Sequence, residues 1–436
     1  MEWIIFGFYI IGFVFLLMLG LPVAFSFLTI NMIAVFFLWN GVSGLEVMTI
    51  NLFESISLFS LLPIPMFILM GELMFRTGIG FNVINALGNW MGAIPGRLSL
   101  LSVGSGTLFS VLSGSSVAST SLLGSLLVPE MKKNGYKNEM SIGPILGSAG
   151  LATMLPPTAL GVILASLAGI PVGEFLIAII IPGLILASIF ILYIIIRCRL
   201  NPDLAPKYDV NIVSTRKKIK DTIMYIFPLG LIVGAVVIII VFGIATPTES
   251  AVIGALGVII LTVIYRKISL QLFVDSFRGT LRITSMILMI MANAAIFSQV
   301  LSFTGITDGI ISLIDNLDIP TIILILLIQF LLIILGLFLE PVSIMMMTLP
   351  LLVPIAQGAG LDITWFGVIL LITIQMATIT PPFGMDLFAM KGVTTNDIKM
   401  GDIYRSALPF VILMILCMIL IILIPSLALW LPSLMN

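Results

Sequence analysis

Apolar side chains run through this chain in stretches of about twenty residues or more, the length a helix needs to cross the hydrocarbon of a bilayer. Polar, glycine and proline residues collect between them. The stretches are 3–19, 22–38, 52–75, 138–168 and 175–197, then 222–243, 247–265, 282–302, 363–390 and 405–430. They predict ten helical crossings, five in each half of the chain.

The two halves are copies. Pro22, Pro95, Pro129, Pro156 and Pro157 recur as Pro247, Pro320, Pro354, Pro381 and Pro382, each 225 residues later. Between 117 and 157 the residues Val117, Leu126, Leu127, Val128, Pro129, Gly135, Leu146, Ala152, Thr153, Pro156 and Pro157 are identical to those at the same offset. The register slips at Thr77-Gly78-Ile79 against Thr304-Gly305-Ile306, 227 apart, which a small insertion explains. Five crossings per copy is odd, so the second copy enters the membrane upside down relative to the first. The predicted division is 1–199 for the first inverted repeat, 200–221 for a cytoplasmic link and 222–436 for the second repeat.

Two stretches remain, 97–129 and 320–356, in equivalent places. Each is a pair of apolar segments around a polar or helix-breaking centre, SGSS at 113–116 and LEPVS at 339–343. The arms after these centres, ending at Pro129 and near Ala356, are about 14 residues long, short of the roughly 20 a span needs. They predict re-entrant hairpins, although two short full spans would leave the crossing parity unchanged. The fourth crossing of each copy, 138–168 and 363–390, carries a double proline, in ATMLPPTALG and ATITPPFGMD. Paired prolines remove backbone donors and clash with the preceding turn, so both helices should break in mid-membrane. Broken backbone at that depth survives only inside protein or along a polar cavity, where carbonyls and half-helix ends suit small ions and anionic groups. Segments 80–93 and 305–317 read as amphipathic helices lying in the interface.

Composition agrees with the spans. Of 436 residues 60% are hydrophobic and 9% charged, too much apolar surface for a soluble fold to hide. The first stretch lacks a basic flank and a small-residue cleavage site, so it reads as a retained span rather than a removed signal. Cys198 and Cys417 have no ligand spacing. No histidine is present, which removes the commonest general base and proton shuttle. Charge orients the chain: with the amino terminus outside, all 19 Lys and Arg fall inside, including the seven between Arg197 and Lys220. The opposite face holds Glu2, Glu46, Glu174, Asp308, Asp315, Asp318 and Asp362. Both termini are then periplasmic. The basic link is topogenic, with lipid headgroups as a further contact.

Candidate chemistry sits at the hairpin centres and helix breaks. Ser113, Ser115, Ser116, Ser119, Thr120 and Ser121 are potential ion or substrate ligands, or alternatively small residues for close helix packing. Glu340 is a carboxylate in an apolar run, costly unless functional, or else the interfacial end of a full span. Asp386 could hold a cation, a proton or substrate, or pair with Lys391. Glu72, near the inner end of a span, and Glu249, beside Thr246-Pro247-Thr248, read as structural.

The motifs GLPVAFS at 20–26, FILMGELMFRTGI at 67–79, SGSSVAST at 113–120, LPPT at 155–158, TPTESA at 246–251, and LEPV with TPPFG near 339 and 380 resemble those of the large membrane subunit of tripartite ATP-independent periplasmic (TRAP) transporters, the DctM type. The resemblance covers essentially the whole chain. It implies an all-α polytopic protein of two inverted repeats with elevator architecture, importing organic acids of the C4-dicarboxylate or sialic acid class across a bacterial inner membrane. Sodium ions would be the coupling ions, with no other cofactor. Partners would be a small four-helix membrane subunit of DctQ type and a soluble periplasmic binding protein of DctP type, with the bilayer as surroundings and no nucleic acid. By position, one sodium site would combine Ser113, Gly114, Ser115 and Ser116 with Thr153 and Pro156. The other would combine Glu340, Pro341 and Ser343 with Thr378, Thr380, Pro381 and Gly384. Substrate would meet Ser116, Ser119, Pro157, Thr158, Pro382 and Asp386, the last departing from the neutral residue expected in many relatives.

Four other readings exist, one of them an ion-coupled permease that uses no binding protein. A channel needs selectivity rings from symmetric subunits, and nothing here repeats beyond twofold. An ATP-driven permease would need a separate ATPase, because the chain has no phosphate-binding loop. An intramembrane enzyme using Glu340 and Asp386 lacks His, a zinc motif and GxGD.

Overall fold

The computed structural model describes residues 2–92, 94–113, 115–208, 213–307, 309–310, 312, 319–395 and 397–434. Among the described residues every regular element is a helix. The first half contains Glu2–Met18 (α1), Val23–Leu38 (α2), Val42–Ile56 (α3), Pro63–Arg76 (α4), Ile79–Trp90 (α5), Arg97–Ser113 (α6), Ser116–Lys133 (α7), Asn138–Gly150 (α8), Ala159–Ala168 (α9) and Val172–Leu200 (α10). The second contains Thr215–Val241 (α11), Pro247–Ile264 (α12), Leu270–Phe303 (α13), Thr321–Gly336 (α14), Pro341–Gly358 (α15), Ile363–Thr378 (α16), Met385–Val393 (α17) and Met400–Leu423 (α18). Shifted by 225, α6 to α10 fall on α14 to α18, and α2 falls on α12. Gly78 and Gly305, the pair out of register, both hold left-handed φ, 65° and 72°.

Among the described residues, seven helical stretches are long and apolar enough to cross a membrane by themselves, with five shorter apolar helices beside them. The breaks fall where the double prolines place them: α8 and α9 are separated by 151–158, α16 and α17 by 379–384. Both proline pairs are joined by cis peptide bonds.

Three expectations are corrected. The stretch 52–75 is not one span, because a 3-10 turn at Phe59–Leu61 and a helix start at Pro63 divide α3 from α4. Its counterpart lacks those prolines and runs unbroken as α13, 34 residues long. At 1.5 Å per residue this is about 50 Å, so its charged start, with Asp275 and Arg278, extends beyond the hydrocarbon ahead of the crossing expected at 282–302. The return arms are 18 residues each, α7 and α15, rather than about 14. Pro129 and Pro354 lie inside these helices and do not end them. Of the interfacial helices, α5 is present, whereas most of 305–317 lies outside the described residues.

The helices pack in two groups. In one, α4 lies against α12 and α13, and α13 also covers α2 and α3. In the other, the hairpins α6–α7 and α14–α15 surround α8, α9, α16 and α17, with α10 and α18 behind. The halves interlock: α7 packs on α17 of the other copy and α15 packs on α9, while α8 lies along α18. Gly124 permits the first contact, since a Cβ there would stand 2.8 Å from Val393 Cγ2.

The loops assigned to one side by charge are bonded to each other. Lys137 N donates to Leu204 O (2.9 Å), Gly96 N to Ala205 O (3.3 Å) and Asn89 Nδ2 to Asp221 Oδ2 (3.1 Å). Arg97, nearly buried, donates to Gly88 O (2.7 Å) and the Tyr208 hydroxyl (2.6 Å), and Lys132 pairs with Asp397. At the other end, Thr364 donates to Glu174 Oε1 (2.8 Å), joining two segments assigned to the opposite face.

Candidate functional site

Between the two groups lies a cavity of about 380 Å³. Both hairpin tips reach it, Ser115 and Ser116 from the first and Glu340 and Pro341 from the second. Both breaks reach it too, Pro157 from one and Thr378 and Met385 from the other. The facing wall comes from α4, with Gly71, Glu72, Phe75 and Arg76, and from α13, with Ile283, Met286 and Ile287.

Each tip starts a helix. Ser115 accepts from Ala118 N (3.2 Å) and so caps α7. Glu340 precedes α15 and accepts from Ser343 Oγ (3.3 Å), with Ser343 itself buried. The breaks end in caps as well: Thr158 accepts from Gly161 N (3.3 Å) at the start of α9, and Gly384 begins α17. Helix starts carry free N–H groups and partial positive charge, so four of them around one cavity favour anionic groups. The hydroxyl, carboxylate and carbonyl oxygens beside them are hard donors suited to an alkali cation.

The second break is the most polar. The Asp386 side chain is fully buried, and its Oδ2 lies 2.7 Å from Thr378 Oγ1. That hydroxyl is also 2.7 Å from Gln375 O and accepts from Gln375 Nε2 (2.9 Å). Ser116 of the first tip comes close to the same carboxylate, whose Oδ1 makes no hydrogen bond among the described residues. The first tip therefore meets the second break, in addition to the first break with which sequence position paired it.

Not every expected residue is at the cavity. Pro156 borders a small apolar void on the far side of its break. Pro382 is exposed, and its carbonyl accepts from the Tyr404 hydroxyl (2.7 Å). Thr380 turns its hydroxyl back to Met376 O (2.8 Å). Thr153 is buried in the first break and Ser119 in α7 behind the tip, and Pro381 is half-buried. Gly114 and the side chain of Ser113 lie outside the described residues. Lys391 does not pair with Asp386, because its Nζ donates to Ile398 O (2.6 Å).

Sequence reading missed three participants. Glu72 is part of the cavity wall, where Arg76 Nε donates to it at 2.8 Å. Their i, i+4 spacing was a visible signal for the pair. Gln375, a buried amide in an apolar run, was a signal of the same kind as Glu340. Glu249 is structural as expected, closing a capping box with Thr246.

Comparison with known proteins places this geometry. Residues 10–427 match the family of the tripartite ATP-independent periplasmic transporter, DctM component. The chain is 30% identical over 391 residues to a C4-dicarboxylate TRAP transporter large permease protein of Pseudomonas aeruginosa, covering 88% of this chain and 89% of that one. It is 29% identical to an ectoine TRAP large permease of Halomonas elongata (96% and 97% covered) and 28% identical to a sialic acid TRAP large permease of Vibrio cholerae (98% of both). Among solved structures, the Alcanivorax borkumensis YdaH transporter superposes with a TM-score of 0.65 over 89% of both chains at 14% identity, a likeness of fold alone. Matched over nearly its full length by family and relatives, the chain belongs to the DctM component family of TRAP transporters, and is a multi-pass membrane permease rather than an enzyme.

Proposed function

We propose that the protein is the membrane permease of a sodium-coupled importer of organic acids, working by an elevator motion of the hairpin group against the α4 and α13 group. The observation carrying this reading is the meeting of both tips and both breaks at one cavity between the two groups. A carrier that exposes one site alternately to two sides needs the site on a seam between a mobile and a fixed body, with backbone irregularity confined to it. The basic loops, bonded together at one end, support an inverted arrangement with that end in the cytoplasm and both termini periplasmic.

The charges support ion coupling. Among the described residues the cavity wall has one cation, Arg76, against the carboxylates Glu72 and Glu340, with Asp386 buried behind. The helix starts favour an anionic group, but these carboxylates oppose an acidic substrate, and cations entering with it would offset them. Sodium bound beside Ser115, Ser116, Thr378 and Glu340 would supply that charge and draw each tip against a break. It drives transport only by binding the substrate-competent state more tightly.

Relatives are named for C4-dicarboxylates, ectoine, sialic acid and isethionate, so the substrate class is an organic acid or zwitterion. The isethionate permease of Oleidesulfovibrio alaskensis is named DctMQ, and this chain covers only 58% of it. We infer a small membrane subunit of DctQ type as partner here, and a periplasmic binding protein of DctP type that delivers substrate.

The test is uptake into proteoliposomes holding permease, small subunit and binding protein. Uptake should saturate and require an inward sodium gradient. Replacing Ser115 and Ser116 by leucine should abolish it while subunit assembly persists. Full sodium-dependent uptake by that variant would overturn the site, and uptake indifferent to sodium would overturn the coupling.

A further inference from the structure

The end of α12 meets the start of α11 at Tyr265, whose hydroxyl donates to Met224 O and whose ring centre lies 5.7 Å from that of Tyr225. This part of α11 is a widened π-turn, Thr222–Ile226. Trp90 Nε1 donates to Thr222 Oγ1 (2.6 Å) at the same turn. Aromatic side chains with one polar end concentrate at the level of lipid headgroups, so Trp90, Tyr225 and Tyr265 mark that level here.

Cations surround the junction. Lys217, Lys220 and Met224 share one face of α11 by three- and four-residue spacing, the face that Tyr265 reaches through the Met224 carbonyl. Arg266 and Lys267 follow Tyr265 directly. All four cations are exposed, and none has a carboxylate partner among the described residues. The adjacent Asp221 accepts from Asn89 at 3.1 Å. Beside the cations, Ile219, Ile223 and Phe227 are exposed by 47%, 61% and 61%, an apolar strip continuous with a membrane-length helix.

Arg266 carries a second signal. It terminates α12 with φ 54°, while Arg266 N donates to Val263 O (2.9 Å) and Lys267 N to Thr262 O (3.0 Å). Glycine is the usual residue at this capping position, because a side chain is strained there. Arg266 thus presents a guanidinium at a backbone position that favours glycine.

We propose that Lys217, Lys220, Arg266 and Lys267 bind the headgroup phosphate of an anionic phospholipid, with its acyl chains along Ile219, Ile223 and Phe227. On the topology above, the lipid belongs to the cytoplasmic leaflet. The guanidinium and ammonium groups supply the charge, and the aromatic trio sets the depth.

The experiment is native mass spectrometry of the purified full-length protein, after incubation with phosphatidylglycerol or with phosphatidylcholine of the same acyl chains. The wild type should retain phosphatidylglycerol in preference. Arg266→Gly should lower that retention about fivefold, the worth of one cation near a charged surface, with unchanged or raised Tm because glycine relieves the turn. The combined variant Lys217→Gln/Lys220→Gln/Lys267→Gln should lower it further. Equal retention of the two lipids, or wild-type retention by Arg266→Gly, overturns the proposal. Displacement of phosphatidylglycerol by millimolar inorganic phosphate alone would assign the site to soluble phosphate and also overturn it.

Discussion

Gly384 holds the second break together by having no side chain. A Cβ there would stand 2.4 Å from Thr378 O, and that carbonyl belongs to a helix end that cannot retreat easily. Gly384→Ala should therefore destabilise the protein by about 1 to 3 kcal/mol, read as a lower Tm, and should disturb Thr378 and Asp386 with it. The hydroxyl and carboxyl groups at this break were legible in sequence because polar atoms in apolar runs are costly and few. What could not be read was their direction. Thr380 and Thr378 are two residues apart with the same chemistry, yet one returns its hydroxyl to its own helix and the other meets Asp386. Lys391 looked like a partner for Asp386 because they are five residues apart, but a carbonyl seven residues further on takes its ammonium. Cys198 and Cys417 are both buried, so maleimide should leave them unlabelled in the folded protein.

Helix breaks were legible at the scale of elements because proline acts locally, and the pairs at 156 and 381 end helices wherever the fold places them. The single proline at 129, read as the end of its arm, misled. Pro129 and Pro354 lose one backbone bond each and remain inside α7 and α15, where tertiary packing outweighs that loss. The charged start of α13 misled in the opposite direction: the apolar run begins at 282, but charge every few residues also suits a helix that has left the hydrocarbon. One contact between elements gives a pH prediction. Lys132 holds the Asp397 carboxyl down to about 2, with Thr395 as a second donor. A depressed carboxylate pKa contributes stability above its ordinary value near 3.8 and loses it as pH falls towards 2. The pair is exposed, so the contribution is small: Asp397→Asn should lower Tm slightly from pH 5 to 8, and the two proteins should converge fully only below about pH 2.

For the whole molecule, the one-sided distribution of basic residues anticipated which loops touch. Lys207→Cys and Lys399→Cys should label from one side of sealed vesicles, and Glu46→Cys and Asp362→Cys from the other. Labelling of all four from a single side would refute the inverted arrangement. Sequence alone could not reveal that each hairpin returns along the other copy's helix, because a 225-residue offset relates equivalent positions and says nothing about neighbours. That crossing has a genetic consequence. Gly124→Ala presses against Val393 and Met390, so its repair lies in the opposite half of the gene: Val393→Ala should restore the lost stability, whereas trimming residues near Gly124 in sequence should not. Suppressor mutations of a damaged first hairpin should accordingly map near codon 390, and a damaged second hairpin should be rescued from the helix at 159–168.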